Sequence, residues 1–542
     1  MVLEHNNMKS TLYQALLAAN NNQLSTAKHL AEQVILNDPV NSDAFSLLGK
    51  ISLQEGDSQA SIQYFKKATH INPKSEHHII NYGIALHKNS MPEKAALIFS
   101  KFLRKHPNNL QVHIELATIN LNLGKFKKAI INLKVAEKVF PTSPDVQSIL
   151  GIALQYIEEF EAAENAYRKA ISLGAINADT HSNLGSIYLR QNKLKIALLE
   201  FKKAIKINPN HSRSYRNIGH ELTRTGQYDE SLFYLEKTIS LASNDVDSVC
   251  KLTHALSILG KRNESVAICE QALKTNPQHL ALIIQYAFSL FVAGQYKESI
   301  MSCKRALTIK PGETSALAFL ASGLNEMGNR KGASCYLDFK KLIKSVMIKP
   351  NQSFSSISKL NKALETSILN HPTLKEDKSN RSLNKGMCTL NLFDGNETTA
   401  LDIFKTTIIT MVNDYKLERP IDYKHPFLFS YPSNYKIECW ANIMSTGGFH
   451  DSHFHPTSWL SGVYYPKLPK KISAVKNFSK EGYLEFGKPY SQLLSKDDPP
   501  THLVQPKEGL MVLSPSYFGH RTIPFESVEK RISIAFDIIP IN

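Results

Sequence analysis

The sequence has few cysteines and lacks long apolar runs. Its six cysteines include no CxxC pair and are too sparse for a disulfide framework, which argues against a zinc ribbon or a small disulfide-stapled fold. No segment reaches the roughly 18 uninterrupted apolar residues that a membrane-spanning helix needs. The first residues also lack the apolar stretch of a signal peptide. We therefore expect a cytoplasmic protein in a reducing compartment, with no membrane partner.

Acidic residues are too few to balance the basic ones. The chain has 64 Lys and Arg against 48 Asp and Glu, a net charge of +16. Many lysines occur as pairs inside helical segments, such as Lys66 with Lys67 and Lys127 with Lys128, which indicates a solvated helix face. Because no nucleic-acid-binding motif accompanies the charge, nucleic acid is not an expected partner, while an acidic protein or polymer stays an alternative ligand.

The amino-terminal two thirds of the chain repeat with a period of 34 residues. Prolines fall at intervals of 34 residues or twice 34, at Pro39, Pro73, Pro107, Pro141, Pro209, Pro277 and Pro311. Twelve residues before each position of this period the side chain is Ala or Ser. Twenty-four residues before it stands a small residue, often glycine, and eight before it often a ring, as in Gly49 with Phe65. This alternation predicts two helices that approach closely at the small residues.

The period is similar to that of the tetratricopeptide repeat, in which each unit is a pair of antiparallel helices. Residues 1–345 are accordingly expected to form an α-solenoid of about ten repeats. The resemblance implies a right-handed superhelix whose concave groove binds a protein or peptide. A rigid spacer or a self-association surface is the alternative role of such an array.

The period fails after Leu342, and residues 346–385 are predicted to be a linker with a connecting helix. That helix is indicated by Ile357, Leu360, Leu364 and Ile368, spaced three and four residues apart. A second helix, predicted from Leu401, Phe404, Ile408 and Met411, falls in a further domain of residues 386–542.

Short segments rich in β-branched and aromatic residues dominate the end of the chain. They occupy residues 437–444, 458–468, 509–515 and 531–540, and turn-forming residues separate them. Such segments predict an antiparallel barrel or jelly roll with helices packed on its outside. The expected fold class is therefore α+β and multidomain: an α-solenoid followed by a double-stranded β-helix.

Histidines in this region are spaced like metal ligands. His453 and His455 are two residues apart, so both side chains point to one face if the backbone is extended. His520 follows 65 residues later, and Arg531 follows His520 by 11. A lone His-x-His pair would favour an exposed loop or a structural zinc site, whereas a distal histidine and a following arginine favour a catalytic site.

The order of these residues resembles that of the jelly-roll 2-oxoglutarate/Fe(II) oxygenases. It is most similar to an oxygenase family found fused to tetratricopeptide repeats. The similarity lies in four segments: residues 453–465, 482–489, 513–525 and 531–537. It covers about the last hundred residues strongly and the preceding helices loosely.

The resemblance implies that Fe(II) is held by His453, His455 and His520, with 2-oxoglutarate and O2 at the open positions. It further implies that Arg531 binds the distal carboxylate of 2-oxoglutarate, and that Ser533, on the same strand face, donates a second hydrogen bond. The commonest facial triad has Asp or Glu where this chain has His455. Three imidazoles are the favoured ligand set; the alternatives are His453 and His520 with a water, or participation of Asp451.

The implied reaction is hydroxylation of a C–H bond coupled to conversion of 2-oxoglutarate to succinate and CO2. We expect a protein or peptide substrate that the repeats recruit. A small molecule or saccharide is an alternative substrate, and a non-catalytic scaffold is an alternative function. One of Tyr464 and Tyr465 should face into the barrel, whereas Trp440 and Trp459 are interpreted as packing residues.

Overall fold

A computed structural model describes residues 2–350, 353–376, 383–393, 395, 398–473, 479–488 and 499–541, with residues 2–9 described through their backbone only. The chain divides into two compact units, Met1–Asn217 and Ile218–Asn542. No helix in these described ranges is both long and apolar enough to cross a membrane.

The first 336 residues form helices in the described part of the chain. They are α1 Val2–Asn20, α2 Leu24–Asn37, α3 Ser42–Gln54, α4 Ser58–Ile71, α5 Glu76–Lys88, α6 Pro92–Lys105, α7 Leu110–Asn122, α8 Phe126–Val139, α9 Pro144–Tyr156, α10 Phe160–Ser172, α11 Ala178–Arg190, α12 Leu194–Ile207, α13 Ser212–Arg224, α14 Tyr228–Leu241, α15 Val246–Ile258, α16 Arg262–Thr275, α17 Leu280–Val292, α18 Tyr296–Ile309, α19 Thr314–Glu326 and α20 Arg330–Tyr336. These twenty helices make ten pairs, which confirms the predicted α-solenoid.

The repeat also sets where helices begin and end. At successive 34-residue positions a short polar side chain accepts a hydrogen bond from the backbone N–H three residues on, which satisfies a free donor at the helix start. These capping residues are Asn41, Ser75, Asn109, Ser143 and Asn177. In several repeats a glycine with positive φ, such as Gly56 or Gly124, makes the turn between the two helices.

Glycines allow the two helices of a repeat to approach closely. A Cβ added at Gly49 would lie 2.9 Å from the Phe65 ring, and one at Gly185 would lie 2.7 Å from the Phe201 ring. Carbon atoms prefer separations of about 3.5–4.0 Å, so neither position has room for a side chain. The predicted pairing of small and large residues is confirmed.

In the second unit the last repeats pack directly on the sheet that follows. The Thr314 hydroxyl of α19 donates a hydrogen bond to the Ser458 carbonyl, with an O–O distance of 2.9 Å. The Phe319 ring meets the Phe454 ring edge-on, with 6.0 Å between centroids. Side chains of α17 and α19 and of the sheet belong to one buried hydrophobic cluster. The end of the solenoid and the sheet therefore share a core.

The sheet is antiparallel at every described pairing. Its strands are β1 Lys344–Met347, β2 Lys375–Glu376, β3 Leu383–Cys388, β4 Tyr435–His453, β5 Leu460–Lys467, β6 Leu484–Phe486, β7 His502–Val504, β8 Leu510–Pro515, β9 His520–Thr522 and β10 Arg531–Pro540. The main order is β1-β8-β5-β10-β4-β9-β6-β7, and β3 pairs with β4 and with β2. The four segments predicted as strands are confirmed as β4, β5, β8 and β10.

Two strands, β1 and β3, begin before residue 386, where the sequence places the start of the last domain. β1 pairs with β8, and β3 pairs with β4. Neither four-residue β1 nor glycine-containing β3 shows the clear alternation of a half-buried strand, because the partner strands, not the local sequence, hold them.

The remaining helices are α21 Phe339–Leu342, α22 Ile357–Leu369, α23 Thr399–Glu418 and α24 Lys470–Ser473. The Tyr464 hydroxyl of β5 bonds the Asn361 side chain of α22, at 2.5 Å. The Phe404 ring of α23 lies 5.1 Å from the Tyr464 ring, between centroids. Helices α22 and α23 therefore cover one face of the sheet, as their apolar periodicity predicts.

Candidate metal centre

The structure brings the three predicted histidine ligands together. His453 ends β4, His455 follows two residues later, and His520 begins β9, where it is paired with His453. One ring nitrogen from each histidine lies within 4.8 Å of the others. Ring centroids are 4.5 Å apart for His453 and His520 and 5.2 Å apart for His455 and His520.

Hydrogen bonds select the same tautomer for all three rings. Nδ1 of His453 is 2.7 Å from the Asp451 carbonyl oxygen, and Nδ1 of His520 is 3.0 Å from the Phe518 carbonyl oxygen. Nδ1 of His455 is 2.8 Å from a carboxylate oxygen of Asp537. Because each of these oxygens accepts, each Nδ1 carries the proton, and each Nε2 keeps a lone pair for a metal ion.

Burial keeps the imidazoles in the form that binds metal. It lowers the pKa of His453 to about 4, with the neighbouring His455 acting in the same direction. The pKa of His520 is also lowered well below its ordinary value, first by burial and then by His453. A proton therefore competes weakly for these nitrogens at neutral pH.

His450 and Asp451 lie near the triad without joining it. The His450 ring centroid is 5.7 Å from that of His453, and its Nδ1 is 3.4 Å from the Thr522 hydroxyl. Asp451 is exposed, and its carboxylate accepts a hydrogen bond from the Asn384 amide at 2.9 Å. Of these side chains, only the three imidazoles combine into a ligand set in the described part of the chain.

The triad opens into a cavity of about 510 Å³ that Arg531 and Ser533 also line. Arg531 is 1% exposed, and its Nη1 lies 3.3 Å from the Met444 sulfur. Its Nε has no hydrogen-bond partner, and no carboxylate of the described residues forms an ion pair with it. A buried guanidinium without a counter-charge is unfavourable alone, and it matches the carboxylate of an anionic ligand.

Strand alternation sorts the aromatic residues of the site. Tyr465 lines the cavity, with its ring centroid 5.2 Å from the Arg531 guanidinium carbon. Tyr464 faces the opposite side, towards Phe404. The prediction that one of the two tyrosines faces inwards is confirmed, and that residue is Tyr465.

The two tryptophans differ in their surroundings. Trp459 packs among Tyr415, Phe427 and Tyr431, as a packing residue would. Trp440 lines the cavity and stacks on His455, with 6.0 Å between centroids and 24° between planes. Its interpretation as a packing residue missed this contact with a candidate ligand.

Asp537 is a site residue that the sequence reasoning missed. It lies on β10 in alternation with Arg531, Ser533 and Ala535, which all line the cavity. It is also the one acidic residue of this apolar segment. Parity with Arg531 was therefore a signal that could have found it.

Comparison with known proteins yields short matches to repeat proteins. The bovine protein BBSome complex member BBS4 (Bos taurus) is 23% identical over 145 residues, which are 27% of this chain and 28% of that protein. The crystal structure of MamA is 28% identical, with 30% of this chain and 96% of that chain covered and a TM-score of 0.28. YrrB, titled a TPR protein with an unusual peptide-binding site, is 18% identical, with 34% and 95% covered and a TM-score of 0.30.

Family models cover both parts of the chain. A model described as "Cytochrome c-type biogenesis protein H TPR domain" matches residues 35–146, and two tetratricopeptide repeat models match residues 178–211 and 212–245. A model described as "Putative 2OG-Fe(II) oxygenase" matches residues 438–537, which contain all three histidines and Arg531. The chain therefore combines tetratricopeptide repeats with a carboxy-terminal domain of the 2OG-Fe(II) oxygenase kind.

Proposed function

We propose that this protein is an Fe(II)- and 2-oxoglutarate-dependent hydroxylase. One observation carries the proposal: three convergent imidazoles and a buried, unpaired arginine line the same cavity. The first group suits a divalent metal ion, and the second suits a dicarboxylate.

The ligand set fits Fe(II). Three neutral imidazoles are available through Nε2, and imidazole is a good ligand for non-haem iron. Three protein ligands leave positions open for cosubstrate and O2. When bound, the iron with 2-oxoglutarate and O2 supplies the oxidising chemistry, while the protein orients the reactants and excludes water.

Arg531 and Ser533 would hold the distal carboxylate of 2-oxoglutarate. Both residues are buried, at 1% and 2% exposure, and both line the cavity. The planar guanidinium can donate two parallel hydrogen bonds to a carboxylate, which a lysine cannot do. A cavity of about 510 Å³ lies within the usual range of small-molecule sites.

The substrate is proposed to be a protein or peptide side chain that the repeats recruit. Support comes from the tetratricopeptide repeats, which act in protein recognition, in the same chain as the oxygenase domain. Hydroxylation of a small molecule or saccharide is the competing assignment. A scaffold without turnover is a weaker alternative, because a decayed site gains nothing from the buried cation Arg531.

The proposal is tested by anaerobic titration of the purified chain with Fe(II) and then 2-oxoglutarate. Chelation of the cosubstrate by iron gives a visible charge-transfer band. His453→Ala should abolish the band, Arg531→Ala should raise the 2-oxoglutarate concentration needed to form it, and His455→Ala reports on the third ligand. His279→Ala and Arg330→Ala, both at exposed positions of the repeats, are the matched controls.

A wild-type chain without this band would contradict the proposed function and favour the scaffold. The substrate class needs a second measurement, in which lysate is incubated with wild type or His453→Ala and the products are compared by mass spectrometry. Proteins that gain the mass of one oxygen atom only with wild type support the peptide assignment. Oxygen gained only by metabolites or saccharides would contradict it.

A further inference from the structure

We propose that Asp537 is a positioning residue that acts through His455. In this role it supplies, from outside the coordination sphere, the negative charge that a ligating carboxylate supplies in the commonest facial triad. The inference rests on the proposed function, because it takes His453, His455 and His520 as the iron ligands.

Asp537 is held in one orientation at both of its oxygens. Its Oδ2 accepts a hydrogen bond from Nδ1 of His455 at 2.8 Å, and its Oδ1 accepts one from the Ser461 hydroxyl at 2.7 Å. Ser461 lies directly opposite on β5, and Asp537 is 7% exposed. The carboxylate is thus anchored by the sheet before any metal binds.

The carboxylate reaches the metal site only through the imidazole ring. Asp537 is not among the residues that line the cavity, whereas His455 is. Since Nδ1 of His455 faces the carboxylate, the other nitrogen of the ring faces the centre of the triad. Asp537 therefore cannot act as a ligand itself, and its influence on the metal passes along the ring.

His455 differs from the other two candidate ligands in its Nδ1 partner. His453 and His520 each bond the backbone carbonyl of the residue two positions earlier, which is a neutral acceptor. His455 alone of the three bonds a carboxylate, and this bond makes an imidazole a stronger electron donor to a metal. Position 455 is also where the commonest triad has Asp or Glu. The charge is therefore moved one shell outwards.

Packing holds the plane of the His455 ring but does not choose between its nitrogens. Trp440 stacks on the ring, and His520 stacks on it with 9° between the planes. The backbone N–H of His455 bonds the Ser516 carbonyl at 3.0 Å. A ring in this slot could still turn over, and the bond to Asp537 is what keeps Nδ1 away from the metal.

The test uses the full chain and Co(II), whose visible spectrum reports on the ligands. Asp537→Asn keeps the size and polarity of the side chain but removes its charge. We expect this variant to weaken Co(II) binding about ten- to a hundredfold and to shift the Co(II) absorption bands. Ser461→Ala, which leaves the Asp537–His455 bond in place, should weaken binding less.

A double-mutant cycle separates action through His455 from a general structural role. In the His455→Ala background, Asp537→Asn should cause no further loss of Co(II) affinity. An equal loss in both backgrounds would overturn the inference. Wild-type binding with unchanged affinity and spectrum in Asp537→Asn would also overturn it, while leaving the proposed function intact. If the wild-type chain binds no Co(II), the metal site and this inference fail together.

A measurement on the wild type keeps the inference testable if Asp537→Asn does not fold. Nitrogen-15 NMR of histidine-labelled chain identifies the tautomer of His455, assigned by the signal that His455→Ala removes. We expect the proton on Nδ1, with a downfield shift from its bond to the carboxylate. A proton on Nε2 would overturn the inference.

Discussion

Replacement of Gly185 by alanine tests how tightly the helices of a repeat pack. The added Cβ would lie 2.7, 2.9 and 3.0 Å from three atoms of the Phe201 ring, which is fully buried. Relief of this overlap requires movement of the ring or of a helix, which costs about 1–3 kcal/mol. Alanine in a helix interior recovers roughly 0.5–1 kcal/mol of backbone entropy. We expect a net loss of about 1–2 kcal/mol from the free energy of unfolding of this repeat.

The chain offers its own compensating pair. Two repeats earlier, the positions equivalent to Gly185 and Phe201 hold Ala117 and Leu133, both fully buried. The double variant Gly185→Ala/Phe201→Leu should therefore be about as stable as Phe201→Leu alone. That result corresponds to a favourable coupling energy of about 1–2 kcal/mol between the two substitutions.

Hydrogen exchange of peptides from α11 and α12 is the suitable assay, because a chain with two compact units need not unfold in one transition. Denaturant unfolding provides the comparison for the whole chain. Lys195→Ala, at an exposed position of α12, serves as control and should change stability by less than about 0.5 kcal/mol. Unchanged or increased protection of both helices in Gly185→Ala would refute the argument from packing.

Three further predictions concern the second unit. Burial lowers the pKa of His254 to about 4, so the neutral ring favours the folded state above pH 6.5 and this stability is lost as the pH falls towards 4; His254→Phe should remove up to about 3 kcal/mol of that acid dependence in pH-dependent thermal unfolding, and an unchanged profile would contradict it. A fragment of residues 346–542 lacks α19 and part of β1 and should aggregate, whereas residues 218–542 should give a folded species in size-exclusion chromatography and circular dichroism; a folded shorter fragment would refute the shared core. His450→Ala should retain Co(II) binding in a titration where His453→Ala loses it, because only His453 belongs to the triad; equal losses would contradict the ligand assignment.

Features governed by local periodicity could be predicted from the sequence. The 34-residue period places the helices, and glycine-ring pairs such as Gly185 with Phe201 are visible as spacing alone. His453, His455 and His520 could be found because the resemblance to an oxygenase family names positions, and the structure brings them within 4.8 Å. The alternation of β10 likewise puts Arg531 and Ser533 on one face, and both line the cavity.

Features that depend on partners distant in sequence were not predictable in this way. β1 pairs with residues more than 160 positions away, and its four residues carry no pattern of their own. The bond between Asp537 and His455 joins residues 82 positions apart. The contact of Trp440 with His455 depends on how far the backbone bends after β4. Each requires the three-dimensional register of the sheet, which a single sequence does not supply.

The contact between Phe319 and Phe454 bears on how such a protein can evolve. Phe454 stands between two candidate ligands in the chain, and its neighbour belongs to the last full repeat of the array. Repeats are usually gained or lost by unequal recombination, because each contacts only its neighbours. Here a duplication or deletion at α19 would change the wall of the catalytic domain, whereas one at α7 and α8 would leave it untouched. Variation in repeat number among descendants of this gene should therefore accumulate towards the amino-terminal end.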